Sequence, residues 1–176
     1  MRCFGCQGGL VFYNIQMITG NKDAFLRLLG HFHDKVKEIV IWDKITAEPS
    51  VKDGVLNSMF EFVVIFDKAD AIGRRFARAN FTRGSVGNIF RIPKNNAHNE
   101  IGHKAVFPIG LPLKLLDCFT SDGDIILDPF IGTGTTAVAC VRNNRNFIGF
   151  ELNQMFYEYA DTEIKSVQSV NANKLF

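Results

Sequence analysis

The sequence predicts an α/β fold, a single sheet with helices packed on both faces and organised as one domain. Three observations carry this. Short runs of β-branched and aromatic residues alternate along the chain with amphipathic helical stretches. The 176 residues, 47% hydrophobic and 22% charged, have the size and balance of one domain with a buried core. One strand runs directly into a Gly-x-Gly turn and then a helix, the local geometry of a nucleotide-type site. The alternation of strands with helices implies a sheet rich in parallel pairings.

Gly8-Gly9 opens the run Leu10-Val11-Phe12-Tyr13-Asn14-Ile15, too short for a helix and rich in strand formers, so it is predicted as a buried strand. Asn21 is the expected N-cap of a helix over roughly 22–35, with Ala24, Phe25, Leu28, Leu29 and Phe32 on one apolar face. A second strand covers Glu38 to Trp42, and a third covers Phe60 to Phe66 after a polar loop with Pro49 and Gly54. Regular structure then thins to one short strand, Asn88 to Ile92, ended by Pro93. From Pro108 to Phe119 the residues Leu111, Leu115, Leu116 and Phe119 have helical spacing, and Pro112 lies in the first turn, where proline is tolerated. After the Asp122-Gly123-Asp124 turn, a strand at Ile125 to Leu127 leads into Asp128-Pro129-Phe130-Ile131-Gly132-Thr133-Gly134-Thr135-Thr136 and a helix to Arg142. A strand from Asn146 to Phe150 places Glu151 at its carboxyl end, and a closing helix runs through Phe156, Tyr157, Ala160 and Ile164.

Composition excludes several classes. No apolar run approaches the length of a membrane span and the first residues form no secretory segment, so a cytoplasmic protein away from membranes is expected. Cysteines at 3, 6, 118 and 140 are too sparse for a disulfide framework. Cys3-x-x-Cys6 has metal spacing, but no second such pair or finger-spaced histidines accompany it, and no metal site is expected. Net charge is only +2, yet it is unevenly spread: from Lys68 to Lys104 there are eight Lys/Arg against two acids, so this segment is +6 and the remainder −4. Such a segment is either a phosphate grip or a solvated loop.

The strand, glycines and helix around Gly132 let a ligand approach the backbone and meet free N–H groups. Glu151, at the end of the next strand, stands where it can accept hydrogen bonds from ribose hydroxyls. Gly132-Thr133-Gly134-Thr135-Thr136-Ala137 formally satisfies a dinucleotide fingerprint, whereas a triphosphate loop is excluded because no lysine follows the glycines. Asp128 at the mouth would repel a pyrophosphate and suits a cationic amine, as in S-adenosylmethionine.

Asp128-Pro129-Phe130-Ile131-Gly132-Thr133-Gly134-Thr135 resembles the cofactor motif of the DNA amino-methyltransferases that modify adenine N6 or cytosine N4. Phe147-Ile148-Gly149-Phe150-Glu151-Leu152-Asn153 resembles their second cofactor motif, and His103 to Pro112 their segment beside the methionine end of the cofactor. Gly8 to Gln16, Val40 to Lys44 and Asn57 to Lys68 resemble strands of the substrate half, so the order of motifs is that of the permuted β class. The resemblance implies a Rossmann-like methyltransferase sheet divided into a partial substrate half (1–68), a target-recognition region (69–102) and a cofactor half (103–176). It implies S-adenosylmethionine at Phe107, Pro108, Asp128, Pro129, Phe130, Gly132, Gly134, Thr135, Glu151 and Asn153. Double-stranded DNA is the implied partner, with Lys44, Arg74, Arg75, Arg78, Arg83, Arg91 and Lys94 as contacts, in the setting of restriction-modification.

One family element is missing. The Asp/Asn/Ser-Pro-Pro-aromatic tetrapeptide that accepts from the target amino group and stacks on the flipped base should precede Gly8, but the chain contains no Pro-Pro pair. No catalytic residue is therefore assigned, and no independent methyl transfer is expected. The tetrapeptide's strand lies mid-sheet in the family, between the strand feeding Asp128 and Leu10 to Ile15, so a gap of roughly 10 Å is expected there. The flanking strands close up, a second chain supplies the strand, or the chain is a truncated form, which is favoured because Met1 to Gln7 leads straight into the Leu10 strand. An exposed edge at Leu10 to Ile15 and self-association follow as expectations. Two functions are carried forward: a methyltransferase domain, adenine N6 ahead of cytosine N4, inactive by itself; and a non-catalytic cofactor- and DNA-binding remnant or partner subunit. A nicotinamide dinucleotide enzyme is the third and least supported.

Overall fold

A computed structural model of the chain describes residues 2–6, 9–46, 53–69, 72–94 and 107–172. His103 to Val106, Lys104, and the side chains of Cys3 and Cys6 lie outside the described residues. Among the described residues seven strands form one sheet: β1 (Arg2–Cys6), β2 (Leu10–Ile15), β3 (Val36–Asp43), β4 (Phe60–Asp67), β5 (Ile89–Arg91), β6 (Ile125–Asp128) and β7 (Asn146–Gly149). Four α-helices among the described residues accompany them: α1 (Lys22–His31), α2 (Gly110–Phe119), α3 (Thr135–Arg142) and α4 (Gln154–Ala172). The strand order is β5-β3-β4-β2-β1-β6-β7.

Alternation of side chains along the strands builds two cores. Phe12 on β2, Val63 and Ile65 on β4, Val40 and Trp42 on β3 and Ile126 on β6 pack beneath Leu111, Leu115 and Leu116 of α2 and Ala139 and Cys140 of α3. Tyr13, Ile15 and Val64, one residue out of step, face the other way and bury Phe25 of α1. The sheet therefore carries helices on both faces, as the alternating pattern predicts.

Three expectations are corrected. First, only the β3–β5 and β6–β7 pairings are parallel; the other four are antiparallel. Strand direction is nonetheless nearly uniform, since β2, β3, β5, β6 and β7 run one way and only β1 and β4 run against them. Second, the place between β2 and β6 is filled. Arg2–Cys6 lies there, antiparallel to both neighbours, pairing Arg2 to Gly5 with Asn14 to Val11, and Gly5 and Cys6 with Leu127 and Ile126. The sheet has no gap, and Leu10–Ile15 is a buried interior strand rather than an exposed edge. The tetrapeptide is still absent, because β1 does not carry it. Third, the Asn21 side chain does not cap α1; it accepts from Ile18 N–H at 2.9 Å and donates to Gln16 O at 2.7 Å, pinning the turn before the helix. The helix itself stops at His31, followed by a 3-10 turn at His33–Lys35.

The end of the sheet away from Asp128 is closed by Arg145. Its guanidinium donates to Thr120 Oγ1 at 3.0 Å, Thr120 O at 2.8 Å and Asp122 at 2.8 Å, and also to Asn143 O. One largely buried side chain thus ties the turn before β6 to the turn before β7. Arg145→Ala should lower unfolding free energy by about 2–3 kcal/mol, the cost of leaving Thr120 acceptors unpaired in a buried place; chemical denaturation measures it.

Candidate functional site

Asp128 ends β6 almost completely buried, at 1% exposure, and its Oδ1 accepts the Phe130 N–H at 3.0 Å, which folds the chain sharply through Pro129. The loop is then laced to the end of β7. Phe150 N–H donates to Asp128 O at 3.1 Å, and Ile131 N–H donates to Phe150 O at 3.0 Å. Gly132 N–H donates to Glu151 Oε2 at 2.9 Å, while Asn153 N–H donates to Oε1 at 2.8 Å. Glu151 is thus held by a main-chain donor on each oxygen, and each oxygen keeps a second lone pair for a ligand.

Gly134 turns the chain into α3 at φ +85°, a conformation that favours glycine. A Cβ there would also sit 2.9 Å from the Ala160 Cβ of α4, so the glycine is needed for helix packing as well as for the turn. Gly149 is closely packed too, since a Cβ there would meet the Ile131 side chain. Sequence reasoning passed over Thr133 and Thr136. Their hydroxyls are buried at the head of α3 with no hydrogen-bond partner among the described residues. The run of three threonines around Gly134 was the available signal, since hydroxyls beside a glycine turn are unusual core material.

The structure brings Asp128, Pro129, Phe130, Gly132, Gly134, Thr135 and Glu151 into one loop at the carboxyl ends of β6 and β7, where ligands bind in open α/β sheets. Phe130, Phe150 and Leu152 stand exposed around it, offering apolar surface to a flat ring. Asn153 belongs to the same loop, but its Oδ1 caps α4 by accepting from Met155 N–H at 3.0 Å and Phe156 N–H at 3.3 Å. Phe107 and Pro108 are buried at the head of α2, Phe107 within the core beneath α2 and α3. Cys140 is fully buried in the core, and burial first, and then the charge of Asp128, push its thiol up to about 12.

The basic residues separate into two sets. Lys44 is 1% exposed, with its ammonium 3.0 Å from Glu61 and 5.8 Å from the Trp42 ring centre, so it is removed from the expected DNA contacts. Its position just after β3 turns it into the sheet, where Glu61 on β4 offers the opposite charge. Arg74 pairs with Glu38 at 2.7 Å, Arg78 with Asp124 at 3.0 Å and Arg91 with Asp43 at 3.6 Å. Burial acts to raise the Glu38 carboxyl, but Arg74 and the Ile39 N–H outweigh it and hold the group below its ordinary value. Arg75, Arg83 and Lys94 are exposed, with no ion pair among the described residues. The segment is not a free loop: Phe76 and Phe81 pack edge-on against Phe119 with centroids 4.8 and 5.7 Å away, and Asn80 bonds Thr120 O. A cavity of about 380 Å³ remains beneath it, between Phe76, Phe81, Phe119 and the Arg74–Glu38 pair. Among the described residues no group of His, Cys, Asp and Glu could hold a metal, and no helix is long and apolar enough to cross a membrane.

Gly134→Ala should cost about 2–3 kcal/mol, from the left-handed backbone and from collision with Ala160. Adding Ala160→Gly should recover part of that loss, and thermal unfolding of the two single variants and the double variant closes the cycle.

The N6_N4_Mtase family model, described as DNA methylase, matches residues 6–162. Type II methyltransferase M.MjaI of Methanocaldococcus jannaschii is 46% identical over 84% of this chain and 58% of its own length. Type II methyltransferase M.Cfr9I of Citrobacter freundii is 32% identical over 76% of this chain and 45% of its own. The chain thus spans about half the length of these two curated relatives. In fold it is similar to PvuII DNA methyltransferase (cytosine-N4-specific), with a TM-score of 0.67, 17% identity and coverage of 91% of this chain and 68% of that one. It is also similar to the M1.HpyAVI–SAM complex, with a TM-score of 0.64, 21% identity and coverage of 89% and 75%. With the match running from the end of β1 into α4 and enclosing the Asp128 to Glu151 loop, the chain belongs to the N6/N4 DNA methylase family.

Proposed function

We propose that this chain is the S-adenosylmethionine-binding and DNA-contacting portion of an amino-methyltransferase that acts on an exocyclic amine, adenine N6 ahead of cytosine N4. The observation that carries the reading is the loop from Asp128 to Glu151. The donor set suits this cofactor: Glu151 has acceptor capacity left for a ribose diol, Asp128 supplies negative charge for an ammonium, and the buried Thr133 and Thr136 hydroxyls await polar partners. The cofactor supplies an electrophilic methyl group when bound. The chain's part is to bind and orient it, and no residue in these 176 is assigned to receive or polarise the target amine. The division into a substrate portion (1–68), a target-recognition region (69–102) and a cofactor portion (103–176) belongs to the same proposal. The alternative, a partner subunit without catalysis of its own, shares the binding functions and differs only in whether transfer ever occurs at this pocket.

For DNA, the three exposed basic residues of the described 72–94 segment that make no ion pair among the described residues, Arg75, Arg83 and Lys94, are proposed as phosphate contacts, with Arg74, Arg78 and Arg91 held in place by their acids.

Two measurements test this. Calorimetric titration with S-adenosylhomocysteine should give saturable binding that Glu151→Ala weakens about tenfold or more, with NAD as the ligand that does not bind; equal binding by the variant would remove the carrying observation. Duplex DNA affinity should fall with salt, and the triple variant Arg75→Ala, Arg83→Ala, Lys94→Ala should reduce the slope of log affinity against log salt by roughly three.

A further inference from the structure

The cavity beneath the basic segment has no part in the cofactor loop. It lies against β3 and β5 at one edge of the sheet, whereas Asp128 and Glu151 stand at β6 and β7. Five strand places, roughly 24 Å, separate β5 from β6. Its volume of about 380 Å³ falls in the range of small-molecule sites. Val40, Ile65 and the rings of Phe76, Phe81, Phe90 and Phe119 line it, a surface against which a flat ring packs.

One edge of this apolar chamber is polar. Glu38 Oε2 accepts from the Arg74 guanidinium at 2.7 Å, and Oε1 accepts from the Ile39 N–H at 3.1 Å. Two donors on about four lone-pair sites leave the carboxylate with acceptor capacity. The Asn88 amide, also in the lining, stands beside this carboxylate and adds a carbonyl acceptor. Two neighbouring acceptors match a ring edge with two adjacent donors, and among nucleobases that edge is the N1–H and N2 amine of guanine.

A second cavity of about 330 Å³ adjoins the first, since Val86, Gly87 and Phe90 line both. Its charge is of the opposite sign: Arg91 and Lys114 line it and no carboxylate does. Lys114 is exposed, makes no ion pair among the described residues and holds its ammonium 6.0 Å from the Phe90 ring centre. Arg91 reaches Asp43 only at 3.6 Å. At Gly87, common to both linings, a Cβ would meet open space, so no packed group bars a ligand from crossing there. From Asn88 to Ile92 the extended chain covers roughly 13 Å, about the reach of a nucleotide from the amine of its base to its phosphate.

We propose that the two joined cavities form a guanine nucleotide site, with the base among the phenylalanines, its N1–H and N2 amine on Glu38 and Asn88, and its phosphate on Lys114 and Arg91. The guanine comes from a free nucleotide or from a base turned out of a DNA strand, and the recognition chemistry is the same. The site goes beyond the cofactor reading and does not depend on it.

Calorimetry with defined ligands tests it. Guanosine 5′-monophosphate should bind the unaltered chain saturably. It should bind about tenfold more tightly than inosine 5′-monophosphate, which lacks the N2 amine, and about tenfold more tightly than guanosine, which lacks the phosphate. Lys114→Ala should abolish the advantage over guanosine and keep that over inosine 5′-monophosphate; Glu38→Gln should do the reverse. Should Glu38→Gln unfold, the comparison of ligands in the unaltered chain still decides. A five-nucleotide single strand of thymines with one central guanine, set against the same strand with hypoxanthine, identifies the source. Discrimination confined to the strands supports the site with DNA as its source, and discrimination between the mononucleotides supports it with a free ligand. Equal affinity for guanine and hypoxanthine in both formats, no saturable binding, or displacement of guanosine 5′-monophosphate by saturating S-adenosylhomocysteine would overturn it. Titration with S-adenosylhomocysteine alone reads the cofactor proposal separately, so either idea can fail while the other stands.

Discussion

The candidate site depends on a main-chain clasp between two parallel strand ends. Once β6 and β7 lie side by side, the chain leaving β6 has to turn back across the end of β7, and three contacts hold it there: Phe150 N–H on Asp128 O, Ile131 N–H on Phe150 O, and Gly132 N–H on the Glu151 carboxylate. The first two need no particular side chain. The third does, and it fixes the glycine turn relative to the Glu151 carboxylate. Everything downstream inherits this: the start of α3, the contact of Gly134 with Ala160, and the cap that Asn153 gives α4.

What the sequence made legible follows from how local each signal is. The strands Leu10–Ile15 and Phe60–Asp67, helix α2 with Pro112 in its first turn, and the loop from Asp128 through Gly134 are written in short-range pattern, and each stands where that pattern puts it. Strand direction is not local. A strand's period is the same in either sense, so the antiparallel setting of β1 and the predominance of antiparallel pairs could not be read from residue type. The connection of residues 7–9 was the one available clue, since its shortness forbids a crossover. The burial of Lys44 was equally hidden, because it requires Glu61 on a neighbouring strand some seventeen positions away.

The uneven charge of the sequence also resolves into geometry. The basic segment is not a cationic surface set against an acidic body. Acids from the body reach into it, Glu38 to Arg74, Asp124 to Arg78 and Asp43 to Arg91, so much of its excess charge serves to seat it on the sheet and on the end of α2. Exposed pairs of this kind contribute little stability individually. Their effect is on placement: they hold Phe76 and Phe81 near Phe119 and leave a smaller, defined set of cations facing outward.

The contact between Gly134 and Ala160 makes the last long helix a silent member of the candidate site. α4 reaches the loop through a bare glycine backbone on one side and through the Asn153 cap on the other, so the loop is gripped at both of its ends by one element. Motion of α4 is therefore motion of the cradle. Mechanical order in the C-terminal third of the chain and chemical order at Asp128 and Glu151 are one property, and a ligand that stiffens the loop stiffens the helix with it.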